Sequence, residues 1–226
     1  MGISVWASGY DSSSLSPSSV IPVAYETVYV TAYLGGATQS SLQGTLAISS
    51  YASFYANSGI LSTVSITSNS IPLYVLNPQV NGYTGLFTCT VPSSGAYGSY
   101  VTLTFTSPYF YDQVVSNILV QPGGVTQLTS PVYLTPKTVS LTGYVVTSSG
   151  VPPTGSFAAV TVVEIGRSAS IYSGSYTVSN VPVGIRLTLQ ASGTNPYTGR
   201  TETGQVQVTP TYSTGGLFTV PTITTY

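Results

Sequence analysis

Gly174-Ser175-Tyr176-Thr177-Val178-Ser179-Asn180-Val181-Pro182 decides how this chain is read. Tyr176 and Val178 fall on one side of an extended strand, Thr177 and Ser179 on the other. That is the two-residue period of a half-buried β-strand. Gly174 opens the stretch and Pro182 closes it, both turn formers. The same order stands 89 residues earlier, one residue shorter: Gly85-Leu86-Phe87-Thr88-Cys89-Thr90-Val91-Pro92. There Phe87, Cys89 and Val91 share the apolar face. One β unit written twice is the simplest source of such a pair.

Working outward, alternation continues in Thr27-Val28-Tyr29-Val30-Thr31-Ala32-Tyr33-Leu34, Val101-Thr102-Leu103-Thr104-Phe105, Ala159-Val160-Thr161-Val162 and Gln205-Val206-Gln207-Val208. Turn signals punctuate it: Gly35-Gly36, Asn81-Gly82, Pro122-Gly123-Gly124, Ser149-Gly150-Val151-Pro152 and Gly215-Gly216. No stretch has a helical period. Short strands at this spacing predict sandwiches or barrels. Further matches pair Thr27–Tyr33 with Thr138–Tyr144, Val101–Thr104 with Ile185–Thr188, and Pro131–Thr135 with Pro221–Thr224. The offset falls from 111 (27 to 138) to 84 (103 to 187), which predicts about 27 extra residues in the first copy, within 50–82. The reading is all-β: two tandem Greek-key β-sandwiches, prealbumin- or Ig-like, at 25–136 and 137–226, preceded by an N-terminal strand arm at 1–24.

Composition narrows the function. The chain has 226 residues, four Lys+Arg, five Asp+Glu, no His and one Cys. Charged residues are 4%, against about 25% in an ordinary domain. Without His, the commonest general base and metal ligand is missing. One Cys forms no intrachain disulfide or zinc ribbon. Four cations make no nucleic-acid footprint. Apolar runs fall far short of the roughly 20 residues of a spanning helix. The 42% hydrophobic content argues for an ordered chain. A net charge of −1 gives little self-repulsion. With so few titrating groups, tolerance of acid, salt and heat is expected. Met1-Gly2-Ile3-Ser4 reads as an initiator with no basic n-region or apolar h-region behind it. No Asn begins an N-x-[ST] sequon; O-linked sugars on the Ser/Thr surface fit the composition.

Reactive residues are sparse. Cys89 shares its face with Phe87 and Val91 and reads as a buried, inert thiol. The acids Asp11, Glu26, Asp112, Glu164 and Glu202 are at least 15 residues apart, so only the fold can assemble a carboxylate pair or calcium cage. Lys137 is the single lysine; an isopeptide link to Glu164 can be drawn, but a solvated linker lysine is the plainer reading. Tyr97, Tyr100, Tyr109 and Tyr111 are candidates for stacking on sugars or for half-buried cross-strand partners. No catalytic, cofactor or metal set is expected, and no enzyme.

The second copy resembles a known family. Leu141-Thr142-Gly143-Tyr144-Val145-Val146, Ser149-Gly150-Val151-Pro152, Val160-Thr161-Val162, Gly174–Val178 and Val181-Pro182-Val183-Gly184 look like the carboxypeptidase-regulatory-like or transthyretin-like β-sandwich. The likeness covers about 138–226, and more weakly 25–136. It implies a seven-stranded Greek-key sandwich used as an accessory module of surface proteins. Tyr172-Ser173 stands where that family often has an acidic residue, so no calcium role is carried over.

The arm points to assembly. Gly2-Ile3-Ser4-Val5-Trp6-Ala7-Ser8 alternates like a strand and holds the only Trp. The run Ser12–Ser19 reads as a flexible spacer, and Val20-Ile21-Pro22-Val23-Ala24 leads into the first sandwich. A detached apolar strand is a liability unless an open sheet edge accepts it. Ile3, Val5, Trp6, Ala7, Val20, Ile21 and Val23 are the candidate subunit-interface residues, donated to a neighbour or paired within the same chain. Donation head-to-tail yields a fibre. The expectation is a structural subunit of an extracellular filament or pilus, a homopolymer similar in composition to the uncharged surface filaments of hyperthermophilic or acidophilic archaea. A virion turret, spike or capsid protein, and a cell-surface adhesin or carbohydrate-binding module, are the alternatives.

Overall fold

A computed structural model of the chain describes residues 10–16, 31–36, 38–56, 58–68, 75–93 and 98–226. Two compact units divide it: Met1–Ala47 with Leu61–Thr106 and Asp112–Tyr133, and Ile48–Ile60 with Ser107–Tyr111 and Leu134–Tyr226. The architecture is an all-β sandwich fold.

The first unit opens with β1 (Tyr10–Ser16) and β2 (Thr31–Gly36), an antiparallel pair forming a sheet of its own. Then come β3 (Thr38–Ile48), β4 (Ser65–Ser68), β5 (Leu76–Val80), β6 (Leu86–Ser93), β7 (Ser99–Thr106), β8 (Gln113–Val120), β9 (Val125–Gln127) and β10 (Val132–Leu134). One sheet runs β10-β3-β6-β5 with β9 also on β3; the other runs β4-β7-β8. Leu42, Phe87, Cys89 and Val91 from the first sheet and Ile66, Leu103, Phe105 and Val120 from the second are buried. Phe87 meets Phe105 edge-to-face, centroids 5.3 Å apart.

The second unit contains β11 (Thr138–Val146), β12 (Thr154–Val162), β13 (Arg167–Ser170), β14 (Ser175–Pro182), β15 (Leu187–Thr194), β16 (Thr201–Val208), β17 (Leu217–Thr219) and β18 (Ile223–Thr224). Its sheets are β14-β11-β17, with β18 on β11, and β13-β12-β15-β16. Leu141, Val145, Val178 and Val181 from one sheet and Val160, Val162, Leu187 and Leu189 from the other are buried. A one-turn helix, α1 (Ala52–Tyr55), belongs to this unit. Its Tyr55 hydroxyl donates to Val183 O at 2.8 Å, and its ring lies 5.6 Å from that of Phe110.

The two units repeat one pattern of pairing. Leu42 faces Cys89 antiparallel and Thr126 parallel; Leu141 faces Val178 antiparallel and Phe218 parallel. Ser41 N bonds Gly124 O at 2.9 Å, and Ser140 N bonds Gly216 O at 2.7 Å. Leu46 N bonds Gly85 O, and Val145 N bonds Gly174 O, both at 2.8 Å. Gly44 lies under the Phe87 ring and Gly143 under Tyr176, where an added Cβ would stand 2.8 Å and 2.7 Å from the aromatic side chain. The extra residue of the second copy is a β-bulge: Leu141 faces Val178 but Val139 faces Val181, with Asn180 at φ 56°.

Three expectations are corrected. The counterpart of Thr138–Val146 is Thr38–Ile48, not Thr27–Tyr33. Its polar run Thr38-Gln39-Ser40-Ser41 hides it from an apolar pattern search, while Thr31–Gly36 pairs with β1 instead. The excess in the first copy is therefore smaller than 27. Leu42 and Cys89 are 47 residues apart and Leu141 and Val178 are 37 apart, so ten residues are added there. Finally, Ser12–Ser16 is not an open spacer: it is the body of β1, paired from Tyr10↔Gly36 to Ser16↔Thr31.

Candidate functional site

The candidate site is the seam between the two sheets of the first unit. β8 is the edge of one sheet, and β9 and β10 border the other. Among the described residues β8 pairs as a strand only with β7, so no ladder covers its far side, where Leu119 O meets only the Thr126 hydroxyl. Between these edges lies a groove of about 540 Å³. Val115, Ile118, Leu128 and Val132 supply its apolar lining; Ser116, Thr126, Ser130 and Gln113 supply hydroxyls and an amide. No lining residue is charged. Val114, Leu119, Val125 and Tyr133 are exposed on the same strands, Val125 at 67%.

β8 carries a bulge. Ile118 faces Val101 and Val115 faces Leu103, so Ser116 and Asn117 oppose Thr102 together. Asn117 takes φ 59°, a left-handed conformation that Asn tolerates better than most residues. Such bulges bend an edge strand and raise its twist. Thr126 Oγ1 reaches Leu119 O at 3.5 Å across the seam.

In the second unit the corresponding edges touch. Thr203 N bonds Tyr226 O at 3.1 Å and Tyr226 N bonds Thr203 O at 3.0 Å. Gly204 lets the Thr224 carbonyl lie against β16, where any Cβ would collide. β16 pairs with β15 through eight consecutive residues without a bulge. β8 has no glycine and does carry a bulge, two local reasons for the difference.

Among the described carboxylates, the one with the most hydrogen bonds lies in the second unit. Glu202, on β16, accepts from Ser148 N at 2.9 Å, Ser148 Oγ at 2.6 Å, Asn195 Nδ2 at 2.8 Å and Thr225 Oγ1 at 3.2 Å. Donation to the ionised form, first from the Ser148 hydroxyl and amide, lowers its pKa to about 2. The site ties the β11–β12 loop, the β15–β16 loop and the chain terminus together. It is built to hold an anion in place, not to move a proton at neutral pH.

Other polar residues are structural. Cys89 is buried, and desolvation pushes its thiol up to about 11. Lys137 is not a solvated linker lysine: its ammonium donates to Ser107 O at 2.9 Å and lies 5.3 Å from the centre of the Tyr212 ring. Glu164 accepts the Thr188 amide on both oxygens, at 2.9 and 2.8 Å, so the imagined Lys137–Glu164 link is not assembled. Among the described residues no three His, Cys, Asp or Glu gather as a metal site. No described helix is long and apolar enough to cross a membrane. Tyr100 and Tyr111 are exposed and Tyr109 is half-buried against Gly184, while Tyr97 lies outside the described residues. Ile3, Val5, Trp6, Ala7, Val20, Ile21 and Val23 also lie outside them.

Sequence reasoning missed the groove. Its signal is the break of alternation at Ser116-Asn117 within Gln113–Val120, which marks a bulge, against the lone Gly204 in β16, which marks a close approach. It also missed Phe157, 91% exposed on the irregular part of β12 between Thr154 and Ala159.

No protein-family model matches the chain, and no curated protein does. Among solved structures, the Bacillus anthracis TIE protein is similar at 10% identity and TM-score 0.42, over 88% of this chain and 36% of that one. The major pilin subunit BcpA of Bacillus cereus is similar at 11% identity and TM-score 0.25, over 74% and 61%. A leucine-rich repeat protein from Bacteroides thetaiotaomicron is similar at 11% identity and TM-score 0.19, over 83% and 26%. This chain thus spans well under two thirds of the first and third of these proteins and just under two thirds of the second. Likenesses of this strength transfer no activity or partner.

Proposed function

We propose that this protein is a non-enzymatic structural subunit of an extracellular filament, assembled from identical copies by donation of a β-strand. The observation that carries this reading is the separate two-stranded sheet of β1 and β2. A two-stranded ribbon is marginal in water and gains stability from a third strand or a packed face. Directly before it stands the uncharged, alternating segment Gly2–Ser8. The rest of the chemistry agrees. A net charge of −1 leaves copies free to associate, and the described polar clusters hold structure together. Extended pairing between copies supplies continuous backbone hydrogen bonds, and alternate side chains supply register.

The test is imaging and light scattering of the full chain beside the full chain carrying Ile3→Asp and Val5→Asp. Filaments from the parent and dispersed, folded subunits from the variant support the reading. Equal dispersion of both, or equal polymerisation of both, contradicts it.

A further inference from the structure

The strand-donation reading leaves open where the strand goes, and the inference here rests on that reading. We propose that the groove between β8 and β10 of the first unit is the acceptor site for Gly2–Ser8 of a second copy of this chain.

The backbone comes first. No described strand pairs with β8 along the side away from β7, the side that borders the groove, where Leu119 O has only a long bond from the Thr126 hydroxyl. An incoming strand supplies the missing ladder. Length agrees: seven residues of strand span about 23 Å and eight span about 26 Å, at ~3.3 Å per residue, and β8 has eight residues.

Side chains come next. Ile3, Val5 and Ala7 fall on one face of the donor by the two-residue period. The groove offers the half-buried Val115 and Leu128 to such a face, above the buried Ile118 and Val132. Neither Gly2–Ser8 nor the lining of the groove contains a charged residue, so no ionic group is desolvated when they meet. The groove mouth adds exposed Leu119 and Tyr133, apolar surface that a free monomer has reason to cover.

A second copy is the committed occupant because a donor strand placed in another molecule makes an interface that does not close on itself, which a filament requires. The bulge at Ser116–Asn117 interrupts the edge, so an incoming strand pairs with β8 on either side of it and not through it.

Full-length Val5→Cys and full-length Val115→Cys chains are mixed from denaturant, refolded together and oxidised. The native thiol, buried at Cys89, stays out of the reaction. Leu128→Cys replaces Val115→Cys should the latter fail to fold. The expected product is a disulfide between position 5 of one chain and position 115 of another, identified by peptide mapping, and its loss when Ile3→Asp is added to the donor. Arm-dependent filaments without this disulfide overturn the acceptor site and leave strand donation standing. An intrachain disulfide in dilute Val5→Cys/Val115→Cys double-variant monomers overturns the second copy as occupant. Absence of arm-dependent assembly overturns both readings.

Discussion

Thr203 and Tyr226 exchange two backbone hydrogen bonds, 3.1 and 3.0 Å long, and so join the last residue of the chain to β16. The bond pair holds the chain terminus in place, and Glu202, one residue before Thr203, collects donors from two loops and from Thr225 around it. The second unit is therefore sealed along an edge that in the first unit borders a groove.

Acid stability should turn on Glu202. Its folded pKa is lowered from 4.5 to about 2. A lowered carboxyl pKa stabilises the fold above the unfolded value, and that contribution is lost as pH falls toward the folded one. Unfolding midpoints should hold from neutral pH to about 4.5 and decline toward pH 2. Glu202→Gln should flatten this decline and lower the midpoint at pH 7. Denaturant titrations across that range check it; an unchanged pH profile in the variant contradicts it.

Tyr176→Phe should stabilise the second unit by about 1 kcal/mol, because a buried hydroxyl without a partner costs that order of free energy. The Tyr176 hydroxyl is buried with no hydrogen-bond partner, and burial raises its pKa to about 12. The first unit already has Phe87 over its matching glycine, Gly44. Thermal unfolding of the variant decides the sign.

Gly44→Ala and Gly143→Ala should both destabilise, by about 1–3 kcal/mol, as overpacked cores do. The added methyl would press on the Phe87 ring and on Tyr176 respectively. Combining Gly143→Ala with Tyr176→Phe should recover part of the loss, since Phe lacks the hydroxyl that stands closest to the new methyl.

Native Cys89 should resist maleimide at neutral pH and react at the rate of unfolding. Its thiol is buried, with a pKa raised to about 11, and thiolate is the reactive form. Fast labelling of folded protein would contradict this placement.

The fold class is legible because Tyr176 and Val178, and Phe87 and Cys89, alternate in strands bounded by glycine and proline. The pairing of Gly85–Pro92 with Gly174–Pro182 is legible too, down to the extra residue that becomes the Asn180 bulge. β3 is not legible: hydroxyl and amide side chains fill its first half, and Ser40 is buried through a hydrogen bond to Ser93 that no hydropathy pattern reveals. The pairing of Ser12–Ser16 escapes for a related reason, since serine carries little strand preference and the ladder with Thr31–Gly36 is made by backbone groups. The groove escapes because it depends on how far apart two edges stand. Sequence marks that spacing only by the absence of glycine from β8 and by one break in alternation.

Hydrogen–deuterium exchange of β8 tests the central claim most directly. The β8 amides that do not bond to β7 should be protected in filaments of the full chain and exchange fast in the dispersed Ile3→Asp/Val5→Asp variant. The account predicts that difference at the groove-facing amides, Leu119 among them, and not at Ile118 or Val120, which face β7. Equal exchange at the groove-facing amides in both samples, with the parent assembled, would contradict it.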